Sequence, residues 1–139
     1  PYLSRGLGDV YKRQKEHQPG LLIELDSSLT TILSTRVLQP SQGFIHPELK
    51  AEKLDFSGLS YDSSSDTLWI VSDKGRCLFQ YDWARDTVLQ RLDLTISTGD
   101  KPKRIRKPEG VAFDPDRNRL YVVSDRGGDL YVFRLHDDC

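Results

Sequence analysis

This chain repeats itself, and that constrains its fold more than any other feature. Displaced by 52 residues, Gly58 falls on Gly110, Asp62 on Asp114, Leu68 on Leu120 and Val71 on Val123. The same displacement sets Ser72 on Ser124, Asp73 on Asp125, Gly75 on Gly127 and Leu78 on Leu130, making eight identities without a gap. Similar side chains fill the intervals: Tyr61 with Phe113, Trp69 with Tyr121, Ile70 with Val122, Phe79 with Tyr131 and Tyr81 with Phe133. A second displacement, of 56 residues, overlays Leu22 on Leu78, Asp26 on Asp82, Thr31 on Thr87, Leu33 on Leu89 and Leu38 on Leu94. Short apolar strands overlay by chance at a few positions, but not with a shared V-S-D-x-G at fixed offset. A period near fifty residues marks a supersecondary unit that cannot bury its apolar face alone and must stack on its neighbours.

Within each unit the pattern is strand and turn. One unit carries Phe56 to Tyr61, Thr67 to Ser72, Cys77 to Asp82 and Thr87 to Leu94, which we letter a to d. The next carries Gly110 to Phe113, Arg119 to Ser124 and Asp129 to Leu135, and two runs (Leu21 to Leu25, Thr31 to Leu33) precede both. Between them stand Asp26-Ser27-Ser28, Asp62 to Asp66, Asp73-Lys74-Gly75 and Asp114 to Asn118, all turn chemistry. Only His46 to Leu54 (HPELKAEKL) has a helical cast, and it is too short to stand alone. Four short strands at this period are the blades of a β-propeller. Strand b is apolar along Leu68 to Val71 and Leu120 to Val123, as expected where both faces of a sheet are covered. The expected fold is therefore all-β, a propeller fragment of about two and a half blades: an outer half-blade, a complete blade and a last blade ending after strand c. Closure takes about 4 to 8 blades, so the chain is expected to be a piece of a larger ring. The propeller domain is placed at 20–139. Residues 1–14 (PYLSRGLGDVYKRQ) have no periodicity and are expected to be a non-native or disordered tail.

Composition excludes several functions. With 20 Lys+Arg against 21 Asp+Glu, no whole-chain field attracts nucleic acid. No apolar run approaches the roughly 18 residues of a spanning helix, and no secretory apolar core is present. Cys77 and Cys139 make neither a disulfide framework nor a zinc site, and His17, His46 and His136 are too dispersed for an H-E-x-x-H pair. Lys101 to Lys107 holds five positive charges but no aromatic residue for base stacking, and is read as a solvated loop between strand d and the next strand a. Asp114 to Asn118 superficially matches the start of an EF-hand loop. However, Arg119 stands where glycine is required and the segment joins strands, so it is read as a hairpin turn equivalent to Asp62 to Asp66. Ser57-Gly58 is not part of a G-x-S-x-G elbow, and no catalytic residue is assigned. Cys77, Trp69 and Tyr121 are read as packing residues.

The start of strand a and the end of strand b lie at one rim, because a and b are antiparallel. That rim receives Glu109, Asp73 and Asp125, with Ser57 at the position equivalent to Glu109. Carboxylates converging from several blades suit a hard cation such as Ca²⁺, with Glu109 and Asp125 as the candidate ligands. The alternative, favoured for Asp73 and Asp125 because each precedes a glycine-bearing turn, is that these carboxylates only hold backbone N–H groups at strand ends and fix the tight turns.

The order L-D-F-S-G-L-S-Y-D (Leu54 to Asp62) then T-L-W-I-V-S-D (Thr67 to Asp73) resembles the SdiA-regulated (YjiK-like) propellers of bacteria. So does P-E-G-V-A-F-D-P (Pro108 to Pro115) followed by R-L-Y-V-V-S-D (Arg119 to Asp125). The resemblance covers about residues 20 to 135 and the C-terminal third of such a protein. It implies a six-bladed ring in the cell envelope, periplasmic or held at the inner membrane by an N-terminal anchor outside this sequence. The implied partner is a small molecule or an envelope protein, with no nucleic acid. Similarity in style to gluconolactonase-type and phytase-esterase propellers adds a second expectation, a metal-dependent hydrolase in which Glu109 is a metal ligand.

Overall fold

The computed structural model describes residues 20–99 and 101–135 and turns both sequence displacements into strand register. The tail at 1–14, His17, His136 and Cys139 lie outside the described residues. The half-blade is β1 (Gly20–Leu25) with β2 (Ile32–Leu38). The complete blade is β3 (Gly58–Asp62), β4 (Thr67–Ser72), β5 (Cys77–Asp82) and β6 (Thr87–Asp93), in that order across the sheet. A small hairpin, β7 (Thr95–Thr98) and β8 (Lys101–Arg104), follows. The last sheet is β9 (Pro108–Asp114), β10 (Arg119–Ser124) and β11 (Leu130–Arg134), with β10 central. The chain is all-β, and every strand pair is antiparallel.

Gly58 pairs with Val71 as Gly110 pairs with Val123, and Val71 pairs with Leu78 as Val123 pairs with Leu130. The 56-residue displacement holds equally well. Leu22 faces Arg36 as Leu78 faces Leu92, and Glu24 faces Ser34 as Gln80 faces Gln90. A register shift follows Glu24 in one sheet and Gln80 in the other, so even the bulge repeats. The hairpin turns repeat as well. Asp62 accepts the Ser64 N–H at 2.9 Å and the Ser65 hydroxyl at 2.8 Å, and Asp114 accepts the Asp116 N–H at 3.1 Å. Each turn then closes through a left-handed residue, Asp66 at φ 55° and Asn118 at φ 52°, types that tolerate this conformation. These carboxylates are consumed by their own turns, as a hairpin reading requires. Burial works against ionising Asp62, but the Ser64 and Ser65 hydrogen bonds outweigh it and hold the carboxyl below its usual range.

Two apolar layers separate the three blades. Ile70, Phe79 and Tyr81 pack with Leu38 and Phe44 on one side of the complete blade. Trp69, Val71 and Leu78 pack with Leu120 and Val122 on the other. Arg36 adds a tie from the half-blade, lying 4.1 Å from the Trp83 ring centre and donating to the Tyr81 hydroxyl at 3.0 Å. Cys77 is wholly buried, and burial foremost pushes its thiol up to about 12, so it is an inert packing residue.

Three local expectations change. Lys101 to Arg104 is a strand paired with β7 rather than a loop, although its side chains are exposed. Leu94 and Ile105, both buried, flank the base of the β7–β8 hairpin in the core, and the Ile105 N–H closes that base on the Leu94 carbonyl at 2.9 Å. Of His46 to Leu54 only Ala51–Lys53 is helical, a single 3₁₀ turn. In the Asp73-Lys74-Gly75 turn the left-handed residue is Arg76, at φ 48°. Gly75 is needed for space instead: a Cβ there would stand 2.9 Å from both Leu54 Cδ1 and Ser72 Oγ.

Candidate functional site

The blades converge on their opening strands. A Cβ on Gly58 would lie 2.9 Å from the Glu109 carbonyl oxygen and 3.2 Å from the Gly110 Cα, so β3 and β9 touch backbone to backbone. Ser57 Oγ donates to the Pro108 carbonyl at 2.9 Å, and Ser60 Oγ accepts the Phe113 N–H at 2.9 Å. These two bonds fasten β9 to β3 near both of its ends. Ser57 is thus an inter-blade tie, and the rim carboxylate at that level is Glu109 alone, exposed at the second position of β9.

Asp73 and Asp125 follow the ends of β4 and β10 at the same rim, because Gly58 and Gly110 pair with Val71 and Val123. The structure brings the predicted carboxylates into mutual range. The Glu109 carboxyl is raised above its ordinary range, first by partial loss of water, then by the negative charges of Asp73 and Asp125. The nearness of the Asp73 side chain adds further to the rise, with a smaller effect from Asp55. The ion pairs among the described residues engage Asp82, Asp86, Asp93, Asp114 and Glu48, and not Glu109, Asp73 or Asp125.

Asp55 is the residue that sequence reasoning missed. It accepts the Ser72 hydroxyl at 3.0 Å and the Lys74 N–H at 2.8 Å, fixing the turn that carries Asp73. The displacement of 52 sets it on Lys107, so the repeat carried no signal for it. In the last blade main-chain carbonyls do the same work: Arg106 accepts the Ser124 hydroxyl at 2.6 Å and Lys107 accepts the Asp125 N–H at 3.0 Å.

These oxygens have the chemistry a hard cation takes, but Ca²⁺ requires about 6–8 of them. Among the described residues no three His, Cys, Asp or Glu side chains are grouped so as to enclose a metal ion. The rim therefore holds carboxylates at one level without an enclosed metal site among the described residues. His46 does not join them: Nδ1 accepts the Glu48 N–H at 3.0 Å, which leaves the proton on Nε2 for the Gly75 carbonyl at 3.1 Å.

A family model, SdiA-regulated, matches residues 9–134 and so spans every described strand. The chain belongs to the SdiA-regulated family. No curated protein matches it. The match begins inside the aperiodic tail and closes at the end of β11. In this SdiA-regulated chain the two V-S-D-x-G segments, Val71 to Gly75 and Val123 to Gly127, each place an aspartate on the rim that Glu109 shares.

Proposed function

We propose that this SdiA-regulated chain forms part of the mouth of a ligand-binding propeller of the bacterial envelope. Its Glu109, with Asp73 and Asp125, contacts a hard cation such as Ca²⁺ at that mouth. The observation that carries this reading is the convergence of Glu109 with Asp73 and Asp125 at one rim, near enough for their charges to act on the Glu109 carboxyl, with no ion pair to any of the three among the described residues. Neighbouring negative charges disfavour ionisation, and a bound cation reverses that penalty. The envelope placement rests on the family resemblance.

Calorimetric Ca²⁺ titration of the protein and of Glu109→Gln tests this. Glutamine preserves size and hydrogen bonding but removes the charge, so affinity should fall about tenfold, equivalent to about 1.4 kcal/mol. Unchanged affinity would return Glu109 to a purely structural role. Acidification should also weaken binding, because protons compete for the same oxygens. With the Glu109 carboxyl raised, that loss should begin above the ordinary glutamate range.

The same rim carboxylates also suit a second reading, metal-dependent hydrolysis, in which Glu109 is a metal ligand. Turnover of a lactone or phosphate ester that requires Ca²⁺ and is lost in Glu109→Gln would select it. Ca²⁺ binding without turnover would select the binding module.

A further inference from the structure

The β7–β8 hairpin has no counterpart in the preceding connection, which runs from β2 to β3 through two single 3₁₀ turns, Pro40–Gln42 and Ala51–Lys53. Nor does it extend a blade, because its two strands pair only with each other. It lies on the connection from β6 to β9, between two described sheets. Asp93 at the end of β6 pairs with Cys77, and Cys77 with Ser72, so the hairpin springs from the rim that carries Asp73.

Its base is anchored: Leu94 and Ile105 are buried, and Ile96 packs against the same layer. Beyond that base all four residues of β8, Lys101, Pro102, Lys103 and Arg104, are exposed. A strand with no buried side chain gains nothing from the hydrophobic effect, and Pro102 lacks an N–H with which to recruit a further strand. What this ribbon presents is charge. Lys101 and Lys103 share one face, two residues and so about 7 Å apart, and Arg104 stands on the other. Arg106 and Lys107, also exposed, continue the charge to the foot of β9. Their main chain is pinned, since the Ser124 hydroxyl donates to the Arg106 carbonyl at 2.6 Å and the Asp125 N–H to the Lys107 carbonyl at 3.0 Å. Arg104 shows what such a cation takes: it holds the Glu48 carboxylate of the preceding connection at 3.1 Å. Among the described residues Lys101, Lys103, Arg106 and Lys107 form no ion pair.

We propose that the β7–β8 ribbon docks an extended acidic segment of a partner protein, whose Asp and Glu side chains pair with Lys101 and Lys103 as Glu48 pairs with Arg104. Charge complementarity sets the sign of the partner, and the Glu48 contact sets its chemistry. The rim sets its shape. A flat anionic bilayer laid on this rim would also meet Glu109, Asp73 and Asp125, which repel it, whereas a narrow chain can follow the ribbon alone. A nucleic-acid strand would find no aromatic side chain on the ribbon to stack its bases. Exposed ion pairs are weak singly, so binding needs several at once and weakens as salt rises.

Fluorescence anisotropy of a labelled oligoglutamate peptide, titrated with the full chain at low ionic strength, tests this. Combining Lys101→Glu with Lys103→Glu replaces two attractions by two repulsions and should weaken binding at least about tenfold. Combining Arg85→Glu with Arg117→Glu changes the net charge equally, in exposed hairpin turns at the opposite rim, and should weaken it less than about twofold. Failure of the wild type to bind, or equal losses in the two double variants, would overturn the proposal. So would tighter binding to phosphatidylcholine–phosphatidylglycerol vesicles or to a labelled oligothymidylate under the same conditions. If circular dichroism shows the reversed pair unfolded, Lys101→Gln with Lys103→Gln removes the charge and leaves the strand, and the same outcomes decide.

Discussion

Replacing Trp69 with alanine should destabilise the protein by about 3–5 kcal/mol, the range for emptying a buried aromatic site. Trp69 is 2% exposed and fills the layer between the complete blade and the last sheet, its ring 5.9 Å from that of Phe113. Three- and four-stranded sheets gain much of their stability from such layers, so the cavity strikes where the blades are held together. Against a total of roughly 5–15 kcal/mol for an ordinary domain, this is enough to populate the unfolded chain. The indole Nε1 has no hydrogen-bond partner, so Trp69→Phe gives up no polar contact and should be much milder. Urea unfolding followed by circular dichroism separates the three proteins. Equal midpoints for wild type and Trp69→Ala would show that this layer does not hold the blades together.

Gly58→Ala should be costlier than Gly110→Ala, although the two glycines are repeat equivalents. The new Cβ at 58 meets the Glu109 carbonyl at 2.9 Å and the Gly110 Cα at 3.2 Å, both main chain, so strand β9 itself must move. Overpacking of this kind costs about 1–3 kcal/mol. The Cβ at 110 meets only Val123 Cγ1, at 3.0 Å, and a half-exposed valine can turn away. Moving β9 also moves Glu109, so on the proposed reading Gly58→Ala should weaken Ca²⁺ binding although it removes no carboxylate. Melting curves and Ca²⁺ titration of both variants check this, and matched behaviour would mean that β3 and β9 are not in tight contact.

Most of the fold was legible because repetition amplifies weak local signals. One strand such as Thr67 to Ser72 is ambiguous by itself, but the same pattern at Arg119 to Ser124 with the same flanking turns is not. The hairpin at Lys101 to Arg104 was misread because its strand has no buried face, so no alternation marks it. Its anchors, Leu94 and Ile105, matter through what they pack on rather than through their spacing. Gly75 was taken for a turn glycine when its role is to clear Leu54 and Ser72, contacts set by the fold.

The division at the rim is sharper. Sequence alone determined that Glu109, Asp73 and Asp125 sit at one end of their blades, since antiparallel pairing and a period of 52 leave no other place for them. Only the tertiary structure decided that Glu109 of one blade comes within range of the charge of Asp73 of the other. That nearness depends on how closely β3 and β9 approach, through the missing side chain of Gly58 and the bonds from Ser57 and Ser60. Periodicity orders residues along and across a sheet. The distance between two sheets is set by the side chains packed in the layer between them, here Trp69, Val71 and Leu120, and no spacing along the chain encodes it.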